Sequence, residues 1–155
     1  MKKYFLLLLI LIIPGLMMGQ SVFEKYQNNK EATAISISPK MFKLLGSMSL
    51  SSADPEADAL MDMIEGITNF RALLTGKETI SDEIDLWVKQ EAGDKGLDLI
   101  VSVQESNSFV KVYVKEGEKE GKLKSLLMFS KGISSAVPEA KIQGIKIEAV
   151  LLLIE

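Results

Sequence analysis

The chain has 155 residues, 18 of them Lys or Arg against 21 Asp or Glu, with neither cysteine nor histidine. Those two absences exclude disulfides, a lipid-modified cysteine, Ser-His-Asp and Cys-His catalytic centres, and imidazole metal sites. The acidic balance argues against nucleic acid, whose binders present a basic patch.

Met1-Lys2-Lys3 supplies a positive start, residues 4–13 form an almost unbroken apolar run, Pro14-Gly15 breaks it, and Gly19 offers a small residue for cleavage. This layout is that of a secretory signal peptide, read here as residues 1–19. The alternative is an uncleaved anchor, although a comfortable span takes about 20 apolar residues. Losing Lys2 and Lys3 with the leader leaves 16 basic residues against 21 acidic, a net charge of −5. Residues 22–155 then have the size of one domain, long enough to bury a core without staples.

Residues 22–29 read as a short helix with Phe23 and Tyr26 on one face. The β-branched alternation of residues 33–38 reads as a strand. Ser38 caps a following helix whose first position is Pro39 and which runs through Met41, Phe42 and Leu45 to stop at Gly46. Residues 47–53 read as a loop. A helix from Asp54 carries the apolar stripe Ala57, Leu60, Met61 and Ile64. Residues 67–74 read as a strand with Phe70, Ala72 and Leu74 on one face. Thr79 and Asp82 resemble a capping box for a helix over residues 80–92 that buries Ile80, Ile84, Trp87 and Val88, with Asp85 and Lys89 paired outside.

Strands then follow one another. Leu97, Leu99, Val101 and Val103 share one face of the first. Val110, Val112 and Val114 face inward on the second, which turns Phe109, Lys111, Tyr113 and Lys115 outward. Further strands are expected over residues 122–130 and 142–147, and residues 148–155 read as one or two helical turns. The order suggests a βαβ unit and then an antiparallel meander. The fold class is therefore α+β: a single two-layer domain, with a mixed or antiparallel sheet and helices on one face, after the signal peptide.

Two acidic groups invite a metal or acid–base reading. Asp58, Asp62 and Glu65 fall on the solvent side of an amphipathic helix and do not converge as the ligands of a calcium loop do. Asp82, Glu83 and Asp85 occupy a first helical turn, where negative charge suits the macrodipole. No metal site, cofactor or catalytic residue is assigned. Trp87 suits a sugar platform in an exported protein, but its stripe with Ile84 and Val88 favours core packing. The scattered Met41, Met48, Met61 and Met63 suit gap-filling, with Met48 also open to a binding surface. The binding patch expected from the pleat is Phe109, Lys111, Tyr113 and Lys115.

The Ser38-Pro39-Lys40-Met41-Phe42 step after a first strand, the strand over residues 110–115, the glycine-containing turn and the late Gln143-Gly144-Ile145 together resemble a family of small exported Bacteroidetes proteins known as domain of unknown function 4252. The resemblance covers essentially the whole mature chain and implies the fold and the compartment. This chain departs from the family at Ser125, where members often carry an acidic residue, and near Lys146 or Glu148, where they often carry an aspartate. The reading is an exported, non-enzymatic envelope protein, periplasmic or outer-envelope associated and not a lipoprotein. It binds or scaffolds an unknown envelope protein or ligand, with no nucleic-acid partner, and meets the membrane only through an uncleaved leader. The alternative is a carboxylate-based hydrolase of a cell-wall or glycan substrate.

Overall fold

The computed structural model describes residues 20–49 and 66–155. It shows a single α+β domain built on a six-stranded, wholly antiparallel sheet. The elements in order are α1 (Val22–Lys25), β1 (Ala32–Ile37), α2 (Pro39–Ser49), β2 (Phe70–Thr75), α3 (Glu78–Asp94), β3 (Asp98–Glu105), β4 (Ser108–Glu116), β5 (Leu123–Lys131), α4 (Ile133–Ala136), β6 (Lys141–Ile142), β7 (Ile145–Lys146) and β8 (Ala149–Ile154). The strand order is β1-β2-β8-β5-β4-β3, with β6 and β7 as a separate hairpin. The helix expected over the stripe of Ala57, Leu60, Met61 and Ile64 lies outside the described residues.

The core forms where α1 and α3 lie on the central strands. Leu73 of β2, Leu127 and Phe129 of β5, and Ala149 and Leu151 of β8 have no exposed surface, and Ile84 of α3 closes over them. On α3, Ile80, Ile84 and Val88 are spaced as one helical face. Phe23 and Tyr26 of the α1 region add the second cover, as their three-residue spacing predicts. Glu83 of α3 accepts from the Tyr26 hydroxyl at 2.5 Å and pairs with Lys25, which ties the two helices together. Burial, reinforced by the bond to Glu83, raises the Tyr26 hydroxyl above its ordinary range, and Lys25 holds the Glu83 carboxyl below its own. α2 meets the sheet through Phe42, whose ring stands 5.5 Å from that of Phe70.

Several expectations change. Residues 148–155 are not helical: β8 is a central strand, paired with β2 on one side and β5 on the other. A short run apolar on both sides is what a doubly covered strand needs, and periodicity alone does not separate it from a buried helix. β1 and β2 run antiparallel, so no βαβ unit forms. The strand expected over residues 142–147 is a tight hairpin instead. Gln143 and Gly144 both take positive φ, 52° and 80°, which turns the chain between β6 and β7. α2 passes through Gly46 to Ser49. α3 starts at Glu78, before the expected capping box, and its N-cap Lys77 gives no side-chain bond. The Thr75 hydroxyl accepts from the Lys77 N–H there, at 3.1 Å.

β3 carries a bulge between Leu99 and Val101. The extra residue flips the phase, so Leu99 shares a face with Tyr113 whereas Val101 and Val103 share the opposite face with Val112 and Val110. The expected single face of Leu97, Leu99, Val101 and Val103 is thus split in two.

Candidate functional site

The register also reverses the expected faces of β4. Phe109, Lys111, Tyr113 and Lys115 stand opposite Lys131, Phe129, Leu127 and Ser125 of β5, and so lie on the face covered by α1 and α3, whereas α2 packs on the other face at Phe70. Val110, Val112 and Val114 point the other way, Val114 being buried there. Both faces of β4 carry apolar groups, so its own alternation could not choose between them; Leu127 and Phe129 on the neighbouring strand do. The four predicted residues are half-buried rather than exposed. Phe109 packs edge-on against Phe129 at 5.6 Å, and Lys111 holds its ammonium 5.1 Å from the Phe109 ring. Tyr113 packs on the core, and Lys115 turns away to donate to the Lys95 carbonyl at 2.7 Å. The four do not form one outward patch. Ser108 and Lys111 have the spacing of a serine–lysine nucleophile. On a strand that spacing puts them on opposite faces, and the Ser108 hydroxyl donates to the Glu105 carbonyl.

Asp82, Glu83 and Asp85, near the start of α3, each pair with a different lysine rather than with a common centre. Asp82 pairs with Lys131, Glu83 with Lys25, and Asp85 with Lys89 at 2.8 Å. Among the described residues no group of three or more carboxylates converges as a metal site would require. No described helix is long and apolar enough to cross a membrane.

Polar groups converge instead at the other end of α3, around a cleft of about 470 Å3. One wall is a single helical face, Trp87, Gln90, Glu91 and Asp94, with Lys95 just beyond it. The opposite wall is Asn69 and Arg71 from the entry to β2, with Glu155 from the end of β8. The backbone fixes that wall: the Asn69 N–H donates to the Glu155 carbonyl at 3.0 Å, and the Glu155 N–H donates to the Asn69 carbonyl at 2.9 Å.

The side chains then interlock. Arg71 donates from Nε to Asn69 Oδ1 at 3.2 Å, and Asn69 donates from Nδ2 to Glu155 Oε2 at 2.8 Å. The Lys95 ammonium lies between two carboxylates, 2.8 Å from Glu91 and 3.1 Å from Glu155. The bond from Asn69, helped by Lys95, holds the Glu155 carboxyl below the usual carboxylate range against the opposing effect of burial. The bond to Glu91, with a further one to Glu155, holds Lys95 above the usual lysine range. Both partners therefore stay charged across neutral pH. Trp87 is half-buried, edge-to-face with Phe23 at 5.7 Å, and it lines the cleft as well as the core.

The sequence did hold part of this site. Positions 87, 90 and 91 share a face of the helix expected over residues 80–92, and Asp94 joins them because α3 runs two residues further. Asn69, Arg71 and Glu155 were hidden because they meet only if the last segment is a strand beside β2.

One family model matches the chain, over residues 26–152, and its description is a domain of unknown function (DUF4252). No curated protein and no solved structure matches the chain.

Proposed function

This chain belongs to the family described as a domain of unknown function (DUF4252), and from that footing we propose that it is a non-enzymatic Bacteroidetes protein exported to the cell envelope, where it binds a ligand or partner through the cleft beside α3. Its leader supports export, to the periplasm or the outer envelope, without lipidation since the chain has no cysteine. The observation that carries the binding reading is the Arg71–Asn69–Glu155–Lys95–Glu91 network: five polar side chains from three elements, held by one another around a concavity. Such a preformed set of donors and acceptors is what a binding site needs.

The rival reading is a carboxylate hydrolase, and Glu91 and Glu155 are the two acids that approach one another there. A general acid needs a raised pKa, and two catalytic carboxyls need an open substrate bond between them. Here Lys95 occupies the space between the two, and Glu155 is lowered rather than raised. That favours binding over cleavage.

The test is expression of the full chain with a C-terminal tag, followed by fractionation and mild pull-down from the envelope. Recovery of a chain shortened by its leader, with a retained partner or ligand that an Arg71→Ala variant loses, is the expected result. A full-length chain in the cytosol refutes export. Envelope material equally retained by the variant, or none retained by either, refutes binding at the cleft.

A further inference from the structure

We infer that the cleft beside α3 is a site for a neutral oligosaccharide of two or three sugar units, with Trp87 as its aromatic platform. The inference rests on the binding reading above and names its ligand class. Four features of the cleft converge on that class.

The first is size: about 470 Å3 falls within the roughly 300–1,000 Å3 of small-molecule pockets. The second is the hydrogen-bonding inventory. Every sugar hydroxyl both donates and accepts, and the walls offer amides (Asn69, Gln90), a guanidinium (Arg71) and carboxylates (Glu91, Asp94) that supply both roles. The third is Trp87, which places an aromatic ring beside those planar polar groups. A pyranose ring has an apolar C–H face that packs on an aromatic surface while its hydroxyls remain at the rim.

The fourth feature, charge, decides between sugar types. Arg71 and Lys95 stand against Glu91, Asp94 and Glu155, and Lys95 is already shared by two of those carboxylates. An anionic ligand meets three carboxylates and must compete for Lys95. A cationic ligand meets two cations and breaks the same pairs. A neutral polyol uses the lone pairs and N–H groups left over and leaves the Lys95–Glu91 and Lys95–Glu155 pairs intact, so it avoids the cost of stranding a half-buried ion.

Trp87 is the chain's single tryptophan, so all tryptophan emission comes from this one position at the cleft wall. The experiment titrates the purified, untruncated chain with cellobiose, maltose and N,N′-diacetylchitobiose, with digalacturonic acid and the glucosamine dimer as anionic and cationic comparators. The expected result is a saturable change with at least one neutral disaccharide and weaker binding of both charged ones. Gln90→Ala and Asp94→Asn, two exposed positions on α3, should each weaken binding by about fivefold, as loss of one hydrogen bond implies, with an unchanged urea midpoint. Silence towards all three neutral sugars overturns the inference. So does tighter binding of either charged dimer, or saturation unaltered in both variants. If the saccharides are silent while the pull-down still retains an Arg71-dependent partner, the sugar site fails and the binding reading stands.

Discussion

Replacing Leu151 by alanine tests the central claim about the fold, that the last segment is a strand inside the sheet. Leu151 has no exposed surface and stands opposite Leu73 of β2 and Phe129 of β5, both also fully buried. Removing a leucine from such a site loses the transfer energy of its methyl groups and leaves a cavity, together about 3–5 kcal/mol. Against a total stability of about 5–15 kcal/mol that is a large share. In a domain of this size it lowers Tm by roughly 10–15 °C. Leu152→Ala is the matched control. Its side chain points to the opposite face and is half-buried, so its cost should be about 1–2 kcal/mol. Urea unfolding followed through Trp87 measures both. If residues 148–155 were helical, adjacent leucines would lie only about 100° apart around the axis and would differ far less. Equal losses, or a larger loss at Leu152, refute the assignment of β8 and its register.

The remaining predictions concern other elements. Gly132 takes φ +74°, and a Cβ there would stand 2.3 Å from the Asn107 carbonyl oxygen, so Gly132→Ala should cost about 2 kcal/mol or more in the same urea assay. Phe109→Ala should lose about 1–2 kcal/mol, because the ring packs on Phe129; no measurable loss would return it to the outward face first expected. Glu83 and Glu155 have lowered folded pKa values, so their stabilisation is complete above about pH 4.3, the unfolded carboxylate value, and is lost as pH falls through the folded ones. Glu155→Gln should therefore flatten the acid limb of a stability–pH curve. Tyr26, Lys25, Lys95 and Lys131 have raised folded values, so their contributions hold below about pH 10 and fade as pH rises through the folded values.

What could be read from the sequence was local. The 80/84/88 face of α3, the Ser38–Pro39 entry to α2, whose Met41 N–H meets the Ser38 hydroxyl at 3.4 Å, and the Asp85–Lys89 pair all depend on neighbours a few residues away. What could not be read was pairing. Val110, Val112 and Val114 look like an inward face until Phe129 and Leu127 are set opposite the other one. Leu99 and Val101 look in phase until the bulge intervenes. The Ala149–Ile154 run has no polar residue to mark strand alternation, since apolar side chains occupy both of its faces. Its place was fixed only by long-range register.

That same strand decides whether the cleft exists. Glu155 follows β8 directly, and its backbone is held by Asn69 at the entry to β2. Its carboxylate then reaches Asn69 on one side and Lys95, beyond the end of α3, on the other. A helical tail would remove the acceptor that orients Asn69, and with it the partner that holds the Arg71 Nε. Core and site are therefore coupled through one element: a change that slips β8 by one residue turns Leu151 and Leu153 out of the core and carries Glu155 off its partners at once. Glu155→Gln, by contrast, keeps the backbone pair and an amide acceptor for Asn69 while removing the negative charge that faces Lys95. It should leave the sheet intact while changing the cleft's charge and the acid limb of the stability curve, which separates the site's electrostatics from the register that builds it.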